Sequence, residues 1–304
     1  KAAEFALSEK IDGIIGMGGG SAMDTAKAIN LLINNPGPIN KYFGRVPYKP
    51  GVPVVCIATT AGTGCEQSAG SVITDTSKNA KAALSTEAPT LAIVDPELTF
   101  GLPPKLTLNA GLDALAHSME VVTSIAPSYY TQILMLDGIR TIKKYLPIVM
   151  QDGSNVEGRE RIMFAASVAG STFNLSPPHL GHAIGHSLGA KFHFPHGFAC
   201  FACMHEIIEY VAQSVPEQVR LVGEAMGVTL PEDATPAEIG KNVGDAILAF
   251  RKSCGAPSLK ELGISLEEAL SVVPMVFEDV MYMVSVRTAS AQDLVNIITE
   301  SYDS

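Results

Sequence analysis

Long apolar runs, runs of one charge and an even set of cysteines are all missing from this 304-residue chain. No apolar stretch approaches the roughly 18 residues that cross a bilayer, so no membrane partner is expected. Basic clusters are absent too, and acids outnumber bases 31 to 21 for a net charge of −10. That balance argues against nucleic acid and anionic lipid as partners. The five cysteines are odd in number and widely scattered, which fits a reducing cytoplasm rather than a disulfide scaffold. Cys200 and Cys203 form a Cys-x-x-Cys. No second pair completes a zinc site, so both are expected to be small buried helix residues. There is no low-complexity segment, no internal repeat and no signal-peptide pattern. The first residue is Lys1 rather than Met, and residues 1–10 read as the tail of a helix feeding a strand. The chain is therefore expected to start inside a domain, with earlier elements absent.

Hydrophobic residues make up 47% of the chain, ample for two domains with cores and incompatible with global disorder. The first hundred residues alternate in type. Ile11–Met17 and Val52–Ala58 read as buried strands, 22–34 as a helix, and Ser71–Thr74 and Leu91–Val94 as short strands. Strand–helix–strand order with glycine-rich exits points to a parallel sheet in an α/β domain. After Pro103-Pro104 the periodicity turns helical over 107–124, 128–146, 157–173, 180–190, 203–226, 235–254, 266–282 and 291–302. The predicted organisation is an α/β domain over 1–103 and an all-helical domain over 104–304.

Two strand exits look built for phosphate. Gly18-Gly19-Gly20-Ser21 follows the first strand and opens a helix. Glycines let backbone approach a pyrophosphate, and the helix start offers free N–H groups and a positive dipole end. The spacing does not match the usual Gly-x-Gly-x-x-Gly fingerprint. Thr59-Thr60-Ala61-Gly62-Thr63-Gly64 leaves the second strand in the same way. Both exits fall at carboxyl ends of strands, where open α/β sheets bind ligands. Asp24 has a plain reading as a dipole-compensating residue, and Lys81, in an apolar stretch, as a solvated lysine.

Five of the seven histidines lie within 179–197. His182 and His186 are four apart and share a helix face. His196 follows in a Pro-Gly turn able to fold back toward that face. Asp113 and His117 repeat the four-residue spacing in an earlier helix. Two helices thus offer one carboxylate and two or three imidazoles to a divalent cation, a set that suits Zn²⁺ or Fe²⁺ and not Mg²⁺ or Ca²⁺. His179, His193 and His205 read as loop, neighbouring-shell and helix-surface residues.

Taken together, these segments resemble the iron-containing (group III) alcohol dehydrogenase family. The matches run in the family's order: Gly18-Gly19-Gly20-Ser21-x-x-Asp24-x-x-Lys27, Thr59-Thr60-Ala61-Gly62-Thr63-Gly64-x-Glu66, Val72-Ile73-Thr74-Asp75, Asp95-Pro96, Pro103-Pro104, Gly111-x-Asp113-Ala114-Leu115-x-His117, His182-x-x-x-His186-x-Leu188-Gly189 and Pro195-His196-Gly197. The resemblance implies a Rossmann-like parallel-sheet domain, lacking its first elements, followed by a helical metal-binding domain, the two-domain plan of dehydroquinate synthase. It implies Asp113, His117, His182 and His196 as metal ligands, and His186 as a proton relay near the nicotinamide. It implies Gly19, Gly20, Ser21, Asp24, Thr59, Thr60, Thr63 and Lys81 as cofactor residues, and Phe173 in the substrate pocket. The implied activity is hydride transfer between a small alcohol or aldehyde and NAD or NADP. Fe²⁺ or alternatively Zn²⁺ would polarise the oxygen, in a cytoplasmic homodimer. The loop before His182, Asn174-Leu175-Ser176-Pro177-Pro178-His179, departs from the glycine-rich form of many members, and Gly70 stands where some small-diol reductases carry Asn. A glycerol-dehydrogenase-like or dehydroquinate-synthase-like enzyme stays open, as does a fragment that keeps the metal site without activity. The lyase would need a Lys, Arg and Asn phosphate cluster near the metal, and residues 104–200 hold few such cations.

Overall fold

The computed structural model describes residues 1–77 and 80–304. Its first part contains α1 (Ala2–Ser8), β1 (Ile14–Gly18), α2 (Gly20–Asn34), β2 (Val54–Ala58), β3 (Gly70–Asp75), β4 (Ala80–Ser85) and β5 (Leu91–Ile93). β1, β2 and β5 form a parallel sheet in that order, with Ile14 opposite Val54 and Val55 opposite Leu91. α2 lies on one face of it. Gly16 permits the close approach, since a Cβ there would sit 2.8 Å from the Ala26 Cβ. Val54, Cys56 and Ala58 are buried, as expected of β2. β1 differs: Ile15 and Met17 are exposed, and so are Leu91 and Ile93 of β5, because no described helix covers that side of the sheet.

β3 does not join the parallel sheet. It pairs antiparallel with β4, Ser71 opposite Leu84. β4 was not expected, because Ala-Lys-Ala-Ala-Leu-Ser is poor in the β-branched and aromatic residues that mark strands. The ladder to β3 makes it a strand. The hairpin is fastened to α2 by buried polar contacts. The Val72 N–H donates to Asp24 Oδ2 at 3.0 Å, the Ser71 hydroxyl donates to the Asp24 carbonyl at 2.9 Å, and Lys27 Nζ donates to the Gly70 carbonyl at 2.7 Å.

The remainder is helical: α3 (Pro104–Val122), α4 (Tyr129–Gln151), α5 (Val156–Thr172), α6 (Leu180–Phe192), α7 (His196–Phe201), α8 (Met204–Ala212), α9 (Pro216–Ala225), α10 (Pro236–Ser253), α11 (Leu266–Leu270), α12 (Val273–Val276), α13 (Val280–Met283) and α14 (Ala291–Ser301). The continuous helices expected over 203–226 and 266–282 are broken. Pro216 and Pro274 each sit in the first turn of a new helix, where the missing N–H costs nothing. Capping boxes start α4 (Ser128 with Thr131), α10 (Thr235 with Glu238) and α14 (Ser290 with Asp293). α3 is buried almost from end to end, the mark of a core helix. Leu112, Leu115 and Met119 of α3 share one core with Ile139 and Ile142 of α4 and Ile207 of α8. Against that apolar background, Asp113, His117 and Glu120 of α3 stand out. No described helix is long and apolar enough to cross a membrane.

Candidate active site

α3 places Asp113, His117 and Glu120 on one stripe at spacings of four and three. α6 presents His182 and His186 opposite that stripe. α7 brings His196. Its expected turn is in fact the first residue of a short helix, with Pro195 before it. α7 reaches α3 because Gly197 has no side chain, and a Cβ there would meet the Asn109 carbonyl at 1.9 Å.

The four expected ligands lie around Asp113, with Asp113, His182 and His196 in one donor cluster that His117 borders. Asp113 Oδ1 lies 3.4 Å from His196 Nε2 and 3.9 Å from both His182 Nε2 and His117 Nδ1. Asp113 Oδ1, His117 Nδ1 and His182 Nε2 are buried and have no hydrogen-bond partner. Orphaned donors and acceptors at the centre of a packed domain cost about 1–3 kcal/mol each unless something satisfies them. A divalent cation among them would satisfy all three, and three nitrogens with one carboxylate oxygen suit a borderline metal. Burial, reinforced by the charge of His182, drives His117 well below its ordinary pKa, and burial with His186 does the same to His196. Both imidazoles are thus neutral, the form whose ring nitrogens can bind a metal. Burial, only partly offset by the charge of His182, pushes the Asp113 carboxyl up to about 7. The His196 side chain keeps 36% of its surface and forms the open side of the cluster. Phe173 packs against His117 in a tilted arrangement, ring centroids 4.5 Å apart.

His186 does not join the four. Its Nδ1 donates to Asp279 Oδ2 at 2.9 Å, and Asp279 Oδ1 caps α13 through the Met281 N–H at 2.8 Å. With Nδ1 committed to Asp279, Nε2 is the ring nitrogen that remains, and the ring stacks on His196 at 5.5 Å.

Three functional neighbours escaped sequence reasoning. Asp279 is 93 positions from His186, and nothing near it in the chain marks it. Glu120 did carry a signal, since it extends the Asp113–His117 stripe by one turn in an apolar helix. Cys200 is buried as expected, but its Sγ lies 3.6 Å from His196 Nδ1. It also falls within one donor cluster with Asp113, His182 and His196. His205 corrects the expectation of a surface residue, being only 4% exposed. His193 is exposed, in a left-handed conformation that ends α6.

The two glycine-rich exits meet. The Thr59 N–H donates to the Gly18 carbonyl at 2.9 Å, and a Cβ on Gly19 or Gly20 would lie 3.2 Å from Thr60 Oγ1 or 2.8 Å from Thr63 Cγ2. Gly19 is the N-cap of α2 and supplies no side-chain cap, and the first turn holds no acid. The start of α2, with exposed Ser21, therefore keeps N–H groups and dipole available to an anion. Lys81 of β4 donates to Thr74 Oγ1 at 3.3 Å, and its charge helps depress His196. Asp24, expected among the cofactor residues, faces the hairpin. It is buried, accepts from Val72 and lies 3.5 Å from Lys27 Nζ, so its carboxylate holds the hairpin.

The profile of the C-terminal part of the Fe-containing alcohol dehydrogenase family matches residues 107–302, and that of the iron-containing alcohol dehydrogenases matches 1–96. The chain belongs to the iron-containing alcohol dehydrogenase family. It is 35% identical to the NAD-dependent methanol dehydrogenase of Bacillus methanolicus over 294 residues, covering 95% of this chain and 77% of that protein. It is 39% identical to the sulfoacetaldehyde reductase of Bilophila wadsworthia over 220 residues, covering 71% of this chain and 56% of that protein. The crystal structure of the alcohol dehydrogenase from Oenococcus oeni superposes with a TM-score of 0.93 at 27% identity, covering 99% of this chain and 79% of that one. The protein is thus an oxidoreductase of the alcohol–aldehyde class, with the two-domain fold of that family.

Proposed function

We propose that this enzyme interconverts a small alcohol and its aldehyde at one divalent cation, Fe²⁺ with Zn²⁺ as the alternative, using NAD or NADP. Asp113, His117, His182 and His196 would hold the cation. The single observation carrying this reading is the convergence of Asp113 Oδ1, His117 Nδ1 and His182 Nε2, buried and unpartnered, with His196 Nε2 beside them. When bound, the cation supplies a Lewis acid for the substrate oxygen and the nicotinamide supplies the hydride acceptor or donor.

The chain's own residues do the rest. Gly19, Gly20 and Ser21 at the start of α2, with Thr59, Thr60 and Thr63, line a loop pair for the dinucleotide phosphates. Lys81, beside His196, offers a cation to the cofactor's anionic end. His186 takes the hydroxyl proton at Nε2 during alcohol oxidation and returns it during aldehyde reduction. Asp279 keeps it in the tautomer that does so. Phe173 shields His117 and bounds the space for a short carbon chain. All five cysteines are free and buried, which supports a reducing cytoplasm.

The test is metal analysis coupled to NADH and NADPH oxidation with a series of short aldehydes. One equivalent of metal, with turnover abolished by chelation and restored by Fe²⁺ or Zn²⁺, is expected. Turnover that survives complete metal removal would contradict the proposal.

A further inference from the structure

Glu120 is buried without residual exposure in the middle of the core. Its two oxygens divide their work. Oε1 accepts the backbone N–H of His179 at 3.0 Å and of Gly181 at 2.7 Å, both at the start of α6. Oε2 accepts from His182 Nδ1. α6 has no cap of its own, since His179 at its N-cap makes no side-chain cap bond. The carboxylate from α3 replaces it, setting a negative charge at the positive end of the helix that carries His182 and His186.

We infer that Glu120 is the positioning residue of the metal centre. It holds His182 through Nδ1, so that Nε2 is the ring nitrogen turned toward Asp113 Oδ1, and it anchors the first turn of α6 so that the ring stays there. The inference rests on the metal-centre reading above. A carboxylate on the far nitrogen of a ligating imidazole sets tautomer and ring orientation, and its loss typically costs roughly 10–100-fold in metal affinity. The geometry here goes further, because the same group also caps the ligand-bearing helix. The His179 ring also lies near the carboxylate, its Nδ1 3.6 Å from Glu120 Oε1, and the Thr123 hydroxyl meets His179 Nε2 at 2.9 Å.

Glu120→Gln separates the two tasks. Its carbonyl still accepts from His179 and Gly181, but its amide then faces the Nδ1–H of His182, two donors against each other. The ring answers by moving its proton to Nε2, the nitrogen that ligates. Co²⁺ binding, read by titration and by its visible spectrum, should therefore weaken by roughly 10–100-fold in E120Q and change its band pattern. Thr123→Val should lower the thermal midpoint while leaving Co²⁺ affinity and spectrum unchanged. Should E120Q fail to fold, the wild-type protein still decides. In Zn²⁺-loaded protein with ¹⁵N-labelled histidine, His182 should carry its proton on Nδ1 and bind metal through Nε2. Wild-type affinity and spectrum in E120Q, or His182 protonated on Nε2 in the loaded wild type, would overturn the positioning role alone. Failure of the wild-type protein to take up one equivalent of Co²⁺ would instead remove the metal reading and this inference with it.

Discussion

Asp113 and His117, and again His182 and His186, stand four residues apart, yet the two pairs do different things. Both members of the first pair take part in the cluster around Asp113 Oδ1. In the second, only His182 does, and His186 turns to Asp279. His182→Ala is accordingly expected to lose most of its metal, while His186→Ala keeps the metal and slows turnover by about 10²–10⁴-fold. Metal content and steady-state rates separate these outcomes, and equal metal loss from both would refute the division. His205 makes a second test. Burial, with Arg251 and Lys252 nearby, pushes its imidazole down to about 4 from 6.5. The unfolded chain therefore takes up this proton first as the pH falls. The contribution of neutral His205 is complete above about pH 6.5 and is lost toward pH 4. Between pH 7 and 5 it should cost on the order of 2 kcal/mol. His205→Gln should flatten that slope in urea titrations, and an unchanged slope would exclude His205 as its source. At this scale the grouping of Asp113, His117, His182 and His196 was legible because metal chemistry restricts residue type and helix geometry restricts spacing. Asp279 was not, because tertiary packing alone brings it to His186.

Helices were easier to read than strands. α3 to α6 follow from apolar periodicity bounded by proline, serine and asparagine, and α2 from its glycine start. β4 was unreadable because its residues have no strand preference, and the antiparallel pairing of β3 was not foreseen because a parallel and an antiparallel strand share one local pattern. The elements also meet where side chains are absent. A Cβ on Gly170 of α5 would lie 1.8 Å from the Gly64 carbonyl, and Gly64 itself holds φ +59°. The loop of Thr60 and Thr63 thus rests backbone-to-backbone on α5. Gly170→Ala must push that loop off the helix. It should cost about 3 kcal/mol, the upper end for overpacking, and weaken dinucleotide binding as well. A variant matching wild type in thermal midpoint and in NADH titration would show that the loop is free to shift.

Across the whole molecule, a small parallel sheet presents its carboxyl ends to a helical core built around α3. The phosphate-ready loops and the histidine cluster belong to different halves, which Lys81 of the hairpin helps to connect. That plan followed from the change of periodicity near residue 104 and from the glycine-rich strand exits. The open face of β1 and β5 did not, because a continuous apolar run looks the same whether one side is covered or two. The account as a whole stands on four side chains sharing one cation. Anomalous diffraction at the iron edge from crystals of Fe²⁺-loaded protein tests this most directly. One peak is expected, within roughly 2.0–2.3 Å of donor atoms from Asp113, His117, His182 and His196. A peak that leaves out any of the four, for instance with Cys200 in place of His117, or one located elsewhere in the fold, would contradict it.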